Sequence, residues 1–348
     1  MTGSSVAQQI IVGVDTHKDV HVAAAIDGHG RLLGHRSVAT SEKGCSDLHQ
    51  WALSLAPRVR YGVEGTGSYG AGLARFLQAQ GSSVVEIRGP NRKLRRDRGK
   101  SDTIDAEAAA RAVLAGTSDI TPKAGDDWVE QLRILRIARR SAIQARTQTI
   151  NQMDAVVVGA PADLRDQLRN LSRHRLITQA AHFRVGHVDE VRSVVRWTLR
   201  LLAQRHQALT AEIAAIDSVV SPLIRSHAGV LLELCGIGPE VASALLVVAG
   251  DNPERLRSEA SFAALCGVTP LPASSGKTQR HRLNRGGDRQ GNTALWRIAF
   301  TRMNCDPRTR AYVSRRTSEG LSKREILRCL KRYIAREVFQ ALPRTALT

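Results

Sequence analysis

An α/β domain followed by all-α segments is the fold class that these 348 residues predict. Three features lead there. Strand-like and helix-like runs follow the order strand, strand, strand, helix, strand, helix, strand, helix up to about residue 115. A heptad seam of apolar residues occupies the middle of the chain. Beyond it, two apolar helical runs meet at a Gly-Ile-Gly hinge.

Residues 9–15, Gln-Ile-Ile-Val-Gly-Val-Asp, form an apolar run ending in a carboxylate, the pattern of a buried strand. Val20 to Ile26 is a second strand, Asp27-Gly28-His29-Gly30 a turn, and Arg31 to Ser37 the returning third. Ser41 opens a helix that reaches about Leu55. Arg58 to Val63 is a fourth strand, followed at once by Glu64. A helix over about Tyr69 to Gln80 leads to a fifth strand, Ser83 to Ile87. Ser101 is placed as the N-cap of a helix to about Ala115, with Asp102 and Asp105 in a first turn that favours negative charge. Three sequential antiparallel strands followed by β-α units describe a ribonuclease-H-like mixed sheet, assigned to residues 8–122.

Residues 126–225 are helical, polar and Arg-rich. Val195, Leu199, Leu202, His206, Leu209, Ile213, Ile216, Val220 and Leu223 alternate in steps of four and three, the period of a left-handed coiled coil. Trp128 to Val156 is the candidate antiparallel partner, its seam interrupted by Arg139 and Arg146, with Gly159 and Pro161 breaking the pair. His206 is read as a polar residue fixing register. Residues 226–342 form a helical C-terminal domain. In it Leu231–Leu246 reads as helix, Gly236-Ile-Gly238, then a second helix opening at Pro239. That is a helix-hairpin-helix pattern, whose glycines let backbone N–H groups approach a phosphate. An ordinary Gly turn between packed helices is the alternative.

The formal charge is +19, which points to a polyanionic partner, and nucleic acid fits best. From Ser275 onward there are 18 Lys and Arg against five Asp and Glu. A second basic knot spans 88–100 and holds Arg92, Lys93, Arg95, Arg96, Arg98 and Lys100. Aromatic residues make up only 4%, so backbone contact should outweigh base stacking. No uninterrupted apolar run of membrane-spanning length and no signal-peptide shape are visible. The five cysteines include no C-x-x-C pair and read as reduced thiols, which points to the cytoplasm rather than a membrane or an oxidising compartment.

The chemistry lies in four acids. Asp15 ends the first strand and Glu64 the fourth, which are adjacent in such a sheet. Asp102 and Asp105 share a helix face that can meet both. Four carboxylates so gathered repel unless a hard divalent cation joins them, and all-oxygen ligands suit Mg²⁺ or Mn²⁺. Singly, each acid could be structural. His17 is read as a neighbour of the cluster and not a ligand. In the C-terminal domain a Ser-Ser-Gly loop sits among Lys277, Arg280, Arg282 and Arg285, which could offset charge at a phosphate. The residues alone leave the role of Ser275 open.

The segments Ile-Val-Gly-Val-Asp15-Thr-His-Lys, Val-Glu64-Gly-Thr-Gly, Lys100-Ser-Asp102-Thr-Ile-Asp105-Ala, Gly-Ile-Gly-Pro, and Gly267-Val-Thr-Pro with Ser-Ser275-Gly-Lys and Arg-Gly-Gly-Asp-Arg belong together. In combination they resemble the DEDD-type transposases of insertion sequences, relatives of the pilin-gene-inverting Piv recombinases. The resemblance implies a RuvC-like N-terminal domain joined through a coiled coil to a C-terminal transposase domain. It implies a catalytic set of Asp15, Glu64, Asp102 and Asp105 holding Mg²⁺, with Ser275 as nucleophile and Ser274 its immediate neighbour. It further implies donor and target DNA as substrates, a structured guide RNA, and a homo-oligomer, dimer or tetramer, working at the nucleoid. The nucleic-acid contacts then fall on the knot at 92–100, Gly236, Gly238, Lys277, Arg280, Arg282 and Arg285. The rival activity is a metal-dependent, structure-specific junction endonuclease without a covalent intermediate. A non-catalytic nucleic-acid scaffold is the rival outside enzymes.

Overall fold

Strands with unbroken apolar runs need cover on both faces, and the sheet built from them has it. Its strands are β1 (Gln9–Thr16), β2 (Val20–Ile26), β3 (Leu32–Ala39), β4 (Arg58–Glu64) and β5 (Ser83–Ile87). The order is β3-β2-β1-β4-β5, antiparallel through β3, β2 and β1, then parallel from β1 to β4 and β5. Helices α1 (Glu42–Leu55) and α2 (Ala71–Ala79) cover one face, where Leu48, Leu73 and Leu77 pack on Val12, Val14, Tyr61 and Val63. Helix α3 (Asp102–Leu114) covers the other, setting Ala109, Ala110 and Val113 on Ile11, Ile26, Val85 and Ile87. This is the ribonuclease-H-like mixed sheet with helices on both sides.

The computed structural model describes residues 9–87, 101–125, 127–184, 186–187, 189–251, 256–273 and 281–343. They fall into two compact units, one within Met1–Asp127 and Gly250–Arg257, the other within Trp128–Ala249 and Ser258–Thr348. The return of 250–257 to the first unit is anchored by Asp251, whose two carboxylate oxygens accept from the Ala124 and Gly125 amides at 2.9 and 2.7 Å.

Local departures from the expected boundaries have simple causes. The helix after β4 starts at Ala71, not Tyr69, because Gly65 to Gly70 is a turn in which Ser68 and Gly70 both donate to the Gly65 carbonyl. Ser101 does occupy the N-cap position of α3, but its hydroxyl meets the Thr103 hydroxyl at 2.8 Å and caps no backbone amide.

The second unit is almost all helix: α4 (Trp128–Val158), α5 (Ala162–Leu168), α6 (Arg173–Ala181), α7 (Val191–Glu233), α8 (Pro239–Ala249), α9 (Glu259–Leu265), α10 (Arg289–Cys305), α11 (Pro307–Ser318) and α12 (Lys323–Ala341). Two short strands, β6 (Leu271–Pro272) and β7 (His281–Arg282), pair antiparallel between α9 and α10. Helices α4 and α7 run antiparallel. Trp128 stacks on His227, Arg139 bonds Asp217, and Met153 and Val157 share a cluster with Leu199 and Ala203. All nine seam residues of α7 are buried or half-buried.

The two interruptions of the α4 seam serve the pairing. Arg139 bridges Asp217 of α7 and Glu240 of α8. The Arg146 charge faces His206, whose pKa is lowered first by burial and then by that charge. Over 18 residues α7 has a mean hydropathy of 1.2, enough by length and composition to cross a membrane, yet Leu199 and Ala203 pack against α4 and α6. Its helical geometry breaks at Ala228 (φ −146°, ψ 35°), close to the position where the sequence changes character.

Candidate active site

The first unit's site is assembled by close backbone packing. Gly13 lies in the middle of β1, where a Cβ would come within 2.1 Å of the Ala106 carbonyl oxygen. Gly62 does the same in β4, where a Cβ would sit 2.6 Å from Val113. Only glycine permits such an approach, so α3 lies directly on the two central strands. Side chains alternate along a strand. Gly13 and Asp15 therefore share the α3 face, as do Gly62 and Glu64. The parallel register sets Val14 beside Val63, so the next position puts Asp15 beside Glu64. The Thr16 hydroxyl ties the two strand ends together by donating to the Glu64 carbonyl at 2.9 Å.

On this face α3 brings its first turn. Asp105 is buried (3% exposed) and Asp102 is exposed. The Asp15 carboxyl, 7% exposed, has its pKa raised by burial. The neighbouring Asp105 and Asp102 charges raise it further, against the opposing pull of His17. His17 stands closer than the sequence suggests. Its Nε2 lies 3.2 Å from Asp15 Oδ2 and 3.4 Å from Asp102 Oδ1, and one ligand atom from each of the three lies within 4.8 Å of the others.

This donor set fits a divalent ion. Ligand atoms about 3 Å apart are neighbours around an ion held at about 2.1 Å. A buried carboxyl pressed by two further carboxylates gains from a cation. Thr16 and the two strand glycines are the residues that sequence reasoning left out; His17, read there as a neighbour of the cluster, touches two of its carboxylates. A glycine inside an apolar strand run was the available signal for close helix approach.

Of the remaining candidates, Arg92, Lys93, Arg95, Arg96, Arg98 and Lys100 lie outside the described residues, as do Ser275, Lys277 and Arg280. Arg282 is in β7 and Arg285 in the loop after it, both exposed. Gly236 adopts φ +80° between α7 and α8, packed on Ile298 and Thr301 of α10. Gly238 faces open space. Behind them Glu240, in the first turn of α8, is held by Arg136 and Arg139.

Comparison with known proteins adds an independent line. A family model described as a transposase, of the DEDD type named for IS110, matches residues 12–162. A second, described as the transposase IS116/IS110/IS902 family, matches residues 228–314. The chain is 24% identical to the insertion element IS900 uncharacterized 42 kDa protein of Mycobacterium paratuberculosis, over 90% of each chain. It is 24% identical to the insertion element IS116 uncharacterized 44.8 kDa protein of Streptomyces clavuligerus, over 93% of this chain and 92% of that one. With the insertion element IS110 uncharacterized 43.6 kDa protein of Streptomyces coelicolor it shares 31% identity over 38% of this chain and 33% of the other.

Proposed function

The chain belongs to the DEDD-type transposases of insertion sequences, and from that premise we propose that it cuts and rejoins DNA through a serine nucleophile beside a four-acid metal site. The observation that carries the reading is the placement of Asp15 and Glu64 on the face of the sheet that α3 covers, with Asp102 and Asp105 in that helix's first turn. Asp15, Glu64, Asp102 and Asp105 would hold Mg²⁺, or Mn²⁺ in its place, with His17 within reach. Bound there, the cation polarises a phosphodiester and offsets charge that develops on phosphorus.

The chain's own residues do the rest. The Ser275 hydroxyl gives up its proton as its oxygen attacks phosphorus, one phosphorus–oxygen bond forms as another breaks, and the departing DNA oxygen takes up a proton to leave as a hydroxyl. The bond energy is kept in a phosphoserine link, so strands can be rejoined without ATP. Lys277, Arg280, Arg282 and Arg285 clamp the phosphates. Gly236 and Gly238 at the α7–α8 junction take a backbone phosphate by the helix-hairpin-helix mode, and the α4–α7 pair works as a coiled coil. The basic knot at 88–100 and the Arg-rich helices hold a structured guide RNA that links donor to target. Two or four copies assemble on DNA at the cytoplasmic nucleoid.

The test is a DNA suicide substrate that traps the enzyme mid-reaction. Wild type should yield a covalent adduct that requires Mg²⁺, and Ser275→Ala should yield none. An adduct retained in Ser275→Ala, with Ser274 unmodified by mass spectrometry, removes the nucleophile assignment. Free 5′-phosphate ends with no adduct would establish the water-mediated endonuclease instead.

A further inference from the structure

We infer that the second unit contains a built phosphate pocket, centred on Lys331, that grips a backbone phosphate of a nucleic-acid strand. A cavity of about 840 Å³ lies between the loop after α9, strand β7 and helix α12. Its polar lining includes Thr269, Arg282, Arg328, Lys331 and Arg332. Arg328, Lys331 and Arg332 are spaced three and four apart on α12, so they share one helix face.

Lys331 is 8% exposed. Its Nζ donates to Asn292 Oδ1 at 2.9 Å, and the Asn292 amide is itself fixed by the carbonyls of Cys266 and Gly267 at 2.9 and 3.3 Å. A neutral amide thus holds the ammonium, and no ion pair among the described residues includes it. Two further polar atoms in the lining, Thr269 Oγ1 and Arg332 Nη1, are buried with no hydrogen-bond partner. Arg332 is anchored through its other nitrogen, Nη2, to Glu259 at 3.1 Å. The acid that lines the cavity, Glu325, is committed to capping, accepting from the backbone N–H and hydroxyl of Ser322.

Buried cations and orphaned donors oppose folding unless an anion joins them. An ammonium, a guanidinium N–H and a hydroxyl on side chains that line one cavity match the two free oxygens of a phosphodiester. Both residues of β7, His281 and Arg282, line the cavity, and β7 pairs with β6. That a polymer supplies the phosphate rests on the transposase reading. The pocket's affinity for the group itself does not.

The decisive experiment measures binding of a fluorescent single-stranded DNA by the full-length protein across a salt series. Lys331→Met should weaken binding about tenfold and lower the salt-dependence slope by about one counterion. Thr269→Val and Arg328→Ala should each weaken it severalfold. They decide the matter if Lys331→Met fails to fold by circular dichroism. A neutral methylphosphonate oligonucleotide should bind wild type and Lys331→Met alike. Unchanged affinity and slope in the folded variants overturn the inference while wild-type binding keeps the transposase reading intact. No DNA binding by wild type removes that reading itself. Stabilisation of wild type by inorganic phosphate, with oligonucleotide binding indifferent to the variants, would make this a small-anion site and also overturns the inference.

Discussion

The two units concentrate opposite charges by opposite means. In the first, negative charge is forced together by backbone packing, as glycines in β1 and β4 let α3 lie on the sheet and deliver its acidic first turn. In the second, positive charge is spread along helices, and part of it is tied to named acids: Arg139 to Asp217 and Glu240, Arg302 to Glu337, Arg332 and Arg336 to Glu259. The acid site therefore depends on the sheet–helix distance, whereas the basic surface tolerates loss of single pairs. Position matters more than composition in one unit, and pairing matters more in the other.

That contrast can be broken most severely at Gly13. Gly13→Ala drives a methyl into the backbone of α3, so destabilisation of about 3 kcal/mol or more is expected, read by urea unfolding of the full chain. An unchanged midpoint would show that α3 does not need its close seat. Asp15→Asn should cut DNA cleavage at least about 100-fold and leave the circular dichroism spectrum intact. Activity within a few-fold of wild type would detach catalysis from this face.

Arg139→Ala takes away the cation that Asp217 pairs with and leaves Glu240 to Arg136 and Arg297; it should cost about 2 kcal/mol, with cleavage falling only in proportion to folded protein. Gly236→Ala asks alanine to adopt φ +80° and should cost about 1 kcal/mol. The smallest effect concerns pH. Burial and the adjacent acids raise the Asp15 pKa in the folded chain, so ionised Asp15 opposes folding. Without divalent cations, stability should fall as pH rises from the ordinary carboxylate value of about 3.9 through the raised one. Asp15→Asn should remove that fall in a thermal-shift series, and a fall of the same size in the variant would assign it elsewhere.

Much of the first unit was legible because its signals are local. Unbroken Ile and Val runs mark strands covered on both faces, and acids at strand ends mark a candidate site. What stayed hidden was contact at a distance. The sequence neighbourhood of Gly13 says nothing of Ala106, and that of Asp251 says nothing of the Ala124 and Gly125 amides. The α7 seam could be read from its period alone, but Arg139 looked like a flaw in the α4 stripe until Asp217 and Glu240 appeared opposite it. The pocket around Lys331 was illegible in principle. Its donors come from Thr269, from β7 and from α12, and a lysine in an Arg-rich helix looks like every other surface cation.

Helix α7 stays helical for 37 residues before the break at Ala228. At about 1.5 Å per residue that is a rod of about 56 Å. Laid beside a duplex with about 3.4 Å between base pairs, it would run past about 16 of them, about one and a half turns. The molecule thus carries a built-in yardstick, and inserting or deleting whole heptads in α4 and α7 together would lengthen or shorten it by about 10 Å at a time.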